Sequence, residues 1–204
     1  MSPDNSPLRS RRKPVQQRSR MTQTAILDAF VRLLVEKGYS RLTIRDIALV
    51  AGVGLGTVYE YFPSKKSIAA HCIHQRFKGV GACMLACIDA RRGCSLPDMA
   101  AALLDGMLEL HSRHTEEWSA LIVLERQVSD PSAYRALYQH IADIWSQVFS
   151  ASSDGAQYAG KNPDVVHAAV YGVLYQRLMT APETVPGEEF RHQLKSLVLG
   201  YLLS

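Results

Sequence analysis

The segment 42–66, LTIRDIALVAGVGLGTVYEYFPSKK, leaves the chain few folds to choose from. Thr43 precedes Ile44, Ile47, Ala48 and Ala51 at helical spacing, and Asp46 stands where a capping-box carboxylate reaches back to the cap. Gly52 ends that helix, because glycine takes left-handed dihedrals at little cost. Val53 then turns inward and Gly54 caps a second helix. That helix runs from Leu55 to Phe62, where Pro63 disfavours helical dihedrals at the residue before it. Ser64 restarts the chain as the cap of a third helix. Two short helices across so tight a turn are the outline of a helix-turn-helix.

At about 100° per residue, Val58 and Phe62 share one face of the second helix. Gly56, Tyr59 and Glu60 occupy the other, with Leu55 on the border. Tyr59, Tyr61, Lys65, Lys66 and the helix-terminal N–H groups all donate to phosphate oxygens, which suits a phosphate-lined groove. The plainer alternative is a buried helical corner with ordinary surface aromatics. Charge favours the groove. Residues 1–66 carry 12 Lys or Arg against 5 Asp or Glu, whereas residues 67–204 carry 11 against 14. A basic half is drawn to a polyanion through counterion release.

Residues 21–75 resemble the N-terminal domain of the TetR family of bacterial transcriptional regulators. The family pattern T-x-R-x-I-A-x-x-A-G-V is met by Thr43, Arg45, Ile47, Ala48, Ala51, Gly52 and Val53. Its continuation G-T-x-Y-x-Y-F-x-S-K is met by Gly56, Thr57, Tyr59, Tyr61, Phe62, Ser64 and Lys65. The resemblance covers about a quarter of the chain. Many relatives carry serine where Gly54 stands and a polar residue where Leu55 stands, so the base-reading set here is short of hydrogen-bonding side chains. The resemblance implies that Thr57, Tyr59, Tyr61 and Lys65 grip phosphates and that Arg45 reaches the groove edge. It also implies that Leu55, Gly56 and Glu60 face base edges, where apolar Leu55 suits a thymine methyl, and that Gly54 belongs to the same DNA-binding set.

The rest of the chain reads as all-α. Residues 1–20 hold three prolines, four serines and six basic residues, the composition of a disordered arm that either lies along phosphates or only steers encounter. A helix over 21–37 buries Ile26, Leu27, Phe30, Val31 and Leu34, stops at Gly38, and completes a three-helix DNA-binding domain at 21–66. From Ser64 to about Arg92 one long connector follows, with Gly79 and Gly81 marking a place for a bend. Further helices are expected over 95–114, 115–128, 130–149, 162–178 and 188–203, with 150–162 as a loop. No stretch alternates long enough for a strand, so about nine helices form, and residues 67–204 make a ligand-sensing and dimerisation domain. With 47% apolar and 21% charged residues the composition is globular. No apolar run of about 20 residues exists to span a bilayer, and the basic N-terminus lacks an apolar h-region, so a cytoplasmic protein without a membrane partner is expected.

Other chemistries are weaker. Cys72, Cys83, Cys87 and Cys94 fall in or just after the connector, but no pair has C-x-x-C spacing, so small buried residues are the default over a thiol sensor. His71 with His74, and His111 with His114, lack a third ligand in register, and no metal or cofactor is expected. Enzyme signatures such as a phosphate loop, a G-x-S-x-G elbow or H-E-x-x-H do not occur. The expected function is a ligand-responsive, non-enzymatic regulator, a repressor by resemblance, binding a pseudopalindromic DNA operator as a homodimer. The alternative is a helical small-molecule-binding or thiol-reactive module without specific DNA binding.

Trp118, Leu121, Ile122 and Glu125 share one face. That face is either plain core, with Glu125 paired to Arg126 or Arg177, or one wall of a pocket. By resemblance the pocket lies between the connector and the terminal helices, completed by Met107, Tyr171 and Tyr175, and takes an apolar or aromatic effector. The terminal pair of helices carries the dimer interface by the same resemblance, through Val166, Val170, Leu174, Leu197 and Tyr201.

Overall fold

The computed structural model describes residues 12–204, with side chains from residue 16. Among the described residues there are nine α-helices, one 3-10 turn at Gly155–Tyr158 and no strand. The chain forms two compact units, one ending at Ile68 and one spanning Ala69–Ser204.

In the first unit, α1 (Arg12–Arg41) packs on α2 (Ile44–Ala51), which turns into α3 (Leu55–Tyr61). Ile26, Phe30, Ile47 and Val58 are completely buried at the centre, with Leu27, Leu33, Leu34 and Phe62 around them. Val31 is only half-buried, and Leu33 takes the inward place instead. The first 11 residues of the expected arm lie outside the described residues. Residues 12–20 are helical rather than disordered. Pro14 sits in the first turn, where its missing N–H breaks no helical bond, and Gln16, Gln17, Arg18 and Arg20 are good helix formers. Gly38 does interrupt α1, with φ 74° and ψ 160°, but the chain resumes helical geometry through Arg41.

The second unit begins inside α4 (Lys65–Ala90) and continues with α5 (Leu96–Ser112), α6 (Thr115–Val128), α7 (Pro131–Ala151), α8 (Pro163–Thr180) and α9 (Glu188–Leu203). The helix starts follow local chemistry. Ser95, Asp130 and Asn162 each accept from first-turn N–H groups through a side-chain oxygen, and each is followed by a proline in that turn. Gly81 serves contact: a Cβ there would stand 3.1 Å from the His140 ring and 3.2 Å from Ile144, so its absence lets α7 approach α4 closely. Asp105 on α5 joins Arg191 at 2.9 Å and Lys195 at 2.7 Å on α9. Ser119 on α6 donates to the Leu178 carbonyl of α8 at 2.7 Å, which fixes the buried crossing of those helices.

Candidate functional site

The helix-turn-helix is built by local bonds. Thr43 accepts from the Asp46 N–H through its hydroxyl, and the Asp46 carboxylate accepts from the Thr43 N–H at 2.9 Å, a complete capping box. Lys37 also reaches Asp46, at 2.7 Å. Hydrogen bonds from Lys37 and Thr43 together hold the carboxyl at about 2, well below the usual range. At the other end of α2, Gly52 takes φ 67° and donates to the Leu49 carbonyl, while Val53 donates to that of Ala48. This pair of bonds is a Schellman ending, which requires the left-handed residue that glycine supplies.

Val58 and Phe62 anchor α3, and Leu55, Gly56, Tyr59 and Glu60 stand on its exposed side. Leu55 is 40% exposed and Tyr59 52%, so both are open to a partner. Arg45 is exposed on α2, Gly54 is exposed at the turn, and Thr57 is half-buried. Two of the sequence-derived phosphate contacts have partners inside the unit. The Tyr61 hydroxyl donates to Ser19 at 3.1 Å. Lys65 donates to the carbonyls of Tyr39 at 2.9 Å and Leu42 at 3.1 Å, with its ammonium 4.3 Å from the Tyr39 ring centre. Lys65 therefore ties the end of α1 to the start of α4, and one donor remains for a phosphate.

The second unit encloses an aromatic cavity. Phe77 and Val80 of α4, Met107 of α5 and Glu125 of α6 form one side. Tyr134, Leu137, Tyr138 and Ile141 of α7 and His167, Val170, Tyr171 and Tyr175 of α8 form the other. The free space among them is about 20 Å³. Tyr171 stacks on Tyr175 with ring centres 4.3 Å apart, and Tyr138 packs against His167 at 4.3 Å. Met107, Glu125, Tyr171 and Tyr175 thus meet at one place. Trp118, Leu121 and Ile122 do not join them, although all three are buried. Trp118 lies on the same face as Glu125 but seven residues earlier, roughly 10 Å along the helix. There its ring packs on His111 at 4.2 Å and its N–H donates to the Leu110 carbonyl. The sequence reading overlooked His167 and Tyr138, although His167, Tyr171 and Tyr175 recur every four residues and so mark one face of α8.

Burial dominates the electrostatics of this cavity. It pushes the Glu125 carboxyl up, against a hydrogen bond from the Ser129 side chain and the Arg126 charge. It also pushes the Tyr171 and Tyr175 phenols up and holds the His167 imidazole down at about 4. Glu125 forms no ion pair with Arg126 or Arg177; one carboxylate oxygen is buried without a hydrogen-bond partner, as are both ring nitrogens of His167.

The terminal helices correct the interface expectation. Val166, Val170 and Leu174 are at most 1% exposed within the protomer and cannot meet a second copy. Their stripe of α8 is taken by the protomer's own core. The exposed residues of α8 include Val165, Ala168, Gly172 and Val173 beside Asp164 and Gln176, and those of α9 include Ser196, Leu197, Gly200 and Leu203 beyond the polar Glu188, Glu189, His192 and Gln193 of its first half. Leu197 is 48% exposed. Tyr201 accepts from the Asn162 N–H at 2.9 Å, which joins α9 to the cap of α8.

Cys72 is buried and Cys83, Cys87 and Cys94 are half-buried free thiols. Burial pushes the Cys87 thiol up, with Arg91 opposing, which lowers its thiolate content rather than activating it. Among the described residues no three His, Cys, Asp or Glu side chains stand close enough to hold a metal ion, and no helix is long and apolar enough to cross a membrane.

Residues 26–72 match the family model described as bacterial regulatory proteins, tetR family. No curated protein matches the chain. Among solved structures, the chain is similar to a TetR family transcription regulator from Marinobacter aquaeolei VT8, with TM-score 0.72 and 16% identity over 91% of this chain and 97% of that one. It is also similar to the transcriptional regulator FadR from Bacillus subtilis, solved in complex with stearoyl-CoA, with TM-score 0.70 and 19% identity over 89% and 97%. The fatty acid degradation regulator FadR from Bacillus halodurans aligns with TM-score 0.72 and 14% identity over 87% and 97%.

Proposed function

We propose that this chain, whose residues 26–72 match the tetR family of bacterial regulatory proteins, is a TetR-type homodimeric repressor of transcription whose second unit senses a small molecule. The observation that carries the DNA-binding half is the division of α3. Val58 and Phe62 hold the helix down, and Leu55, Gly56, Tyr59 and Glu60 are left on the outside beside Arg45. A helix presented in this way enters a major groove with a few side chains on base edges and its neighbours on phosphates. The cavity behind Glu125, Tyr171 and Tyr175 supports the sensing half, because convergent polar groups in an apolar enclosure mark a binding site. Its free space is far below the several hundred Å³ that a drug-sized ligand fills, so an effector has to displace side chains on entering.

The link between the two is α4. Its first turn belongs to the DNA-binding unit, and Phe77 and Val80, further along the same helix, line the cavity. An occupant that moves Phe77 and Val80 displaces α4 and changes the separation of the two recognition helices in the dimer. That separation has to match a helical repeat of roughly 34–36 Å to fill successive major grooves. A few kcal/mol of preference for one spacing switches occupancy.

The test is binding of the full-length protein to the DNA flanking its own gene and to random DNA, across a range of salt. Affinity should fall linearly on a logarithmic salt scale for both, with the flanking fragment preferred. Leu55→Ala should alter the sequence preference while leaving the salt slope in place, since it removes a base contact and no charge. Equal affinity for flanking and random DNA would sink the repressor reading in favour of a ligand-binding module.

A further inference from the structure

The polar atoms of the cavity restrict what it can hold. Glu125 is 2% exposed and His167 3%, so water has little access to either. Their three unpaired atoms, one carboxylate oxygen and two ring nitrogens, are disfavoured unless something completes them. No lysine or arginine lines the cavity, so Glu125 is the sole side chain there able to carry a full charge at neutral pH while His167 stays neutral. Around it stands a row of tyrosine rings: Tyr175 stacks on Tyr171, Tyr138 meets Tyr171 edge-on at 5.7 Å, and Tyr134 lies 6.4 Å from Tyr138. The face of an aromatic ring is electron-rich and attracts cations, most strongly where water is excluded. A carboxylate or phosphate placed here would face Glu125 with no positive side chain in the cavity wall to pair with it, the Arg126 charge acting only from outside the lining.

We propose that the effector of this pocket is an organic cation, an ammonium group on an apolar or aromatic body, held between Glu125 and the tyrosine row. The proposal rests on the effector-sensing reading above and narrows it to a ligand class. Burial that disfavours a lone carboxylate at Glu125 favours one paired with a cation, so the ligand and the charged form of Glu125 stabilise each other. A trimethylammonium head is larger than the free space of about 20 Å³, so its entry displaces Tyr134, Leu137 and Tyr138. These three are only half-buried, and α7 buries no residue fully before Ile141, so this end of the helix can yield without opening the core.

The experiment is equilibrium dialysis of the full-length protein against benzyltrimethylammonium, its uncharged carbon isostere neopentylbenzene, and 3-phenylpropionate. The ammonium should bind at least about tenfold more tightly than neopentylbenzene, in line with cation–aromatic attraction in a desolvated site, and phenylpropionate more weakly than both. Glu125→Gln keeps the shape and removes the charge, and should shrink the ammonium preference to about twofold. Tyr171→Leu should weaken the ammonium more than neopentylbenzene, with circular dichroism melts confirming that both variants fold. The cation class is overturned if neopentylbenzene or phenylpropionate binds as tightly as the ammonium, if none of the three binds, or if folded Glu125→Gln keeps the full preference. If an uncharged or anionic probe binds and releases DNA, the effector-sensing reading stands and only the cation class fails.

Discussion

Lys65→Ala separates two roles that one side chain could play in DNA binding. The Lys65 ammonium donates to the Tyr39 and Leu42 carbonyls at 2.9 and 3.1 Å and lies over the Tyr39 ring. Hydrogen bonds from a charged group contribute about 1.5–3 kcal/mol each, and a partly exposed cation–aromatic contact about 0.5–1. The side chain is only half-buried, and the carbonyls regain water once it is removed, so the net loss is taken at about 2 kcal/mol. Because α1 is interrupted at Gly38, the chain from Tyr39 to Leu42 depends on this contact more than a continuous helix would. Native-state hydrogen exchange of the full-length protein should show amides in the peptides around 39–48 exchanging roughly 30-fold faster in the variant. Affinity for operator and random DNA should fall together, because the scaffold of α2 and α3 is loosened. If the remaining donor also meets a phosphate, the salt slope drops by about 0.9. Unchanged exchange around 39–48 together with an unchanged melting temperature would show that the two carbonyl bonds contribute nothing, and the reasoning would fail.

The second unit should lose stability in mild acid. Burial holds His111 and His167 at about 4, below the 6.5 of a free imidazole. Unfolded chains bind these protons first, so stability is full above about pH 6.5, falls as pH drops toward 4 and levels off below. The buried Glu125 carboxyl, pushed up in the fold, works in the opposite sense, so the slope is read in Glu125→Gln protein. There, between pH 7.5 and 5, the two histidines together should cost about 3–4 kcal/mol, followed by denaturant unfolding through Trp118 and Trp145, and His167→Phe should remove about half of the slope. A flat profile over that range would contradict the burial argument. For the dimer, Val173→Glu with Leu197→Glu places charge on the exposed stripes of α8 and α9. Light scattering at micromolar concentration should show a folded monomer with weakened operator binding, and a persisting dimer would place the interface elsewhere.

Apart from α1, which starts within the expected arm and resumes after Gly38, helix existence and helix ends were legible from the chain because their causes are local. The Thr43–Asp46 capping box, the left-handed Gly52, and the Asp130–Pro131 and Asn162–Pro163 starts each depend on residues within one turn. The two faces of α3 were legible for the same reason, since periodicity alone separates Val58 and Phe62 from Leu55 and Tyr59. Periodicity shows that a face is apolar, however, and not which neighbour covers it. Val166, Val170 and Leu174 look like an interface in sequence and are core in the fold, because α8 has apolar residues on more than one side and packing chose between them. Trp118 and Glu125 share a face, yet their separation along the axis puts the indole against His111 and the carboxylate beside the tyrosines. Lys65 reads as a phosphate ligand until α1 ends beside it and supplies two carbonyls. The sequence determined the helices from α2 onward, their caps and the exposed edge of α3, since those follow from contacts within a few residues. Which side chains end unpaired in a cavity, which stripe is left for a second copy and which cation is already engaged depended on helices distant in sequence, and only their packing decided it.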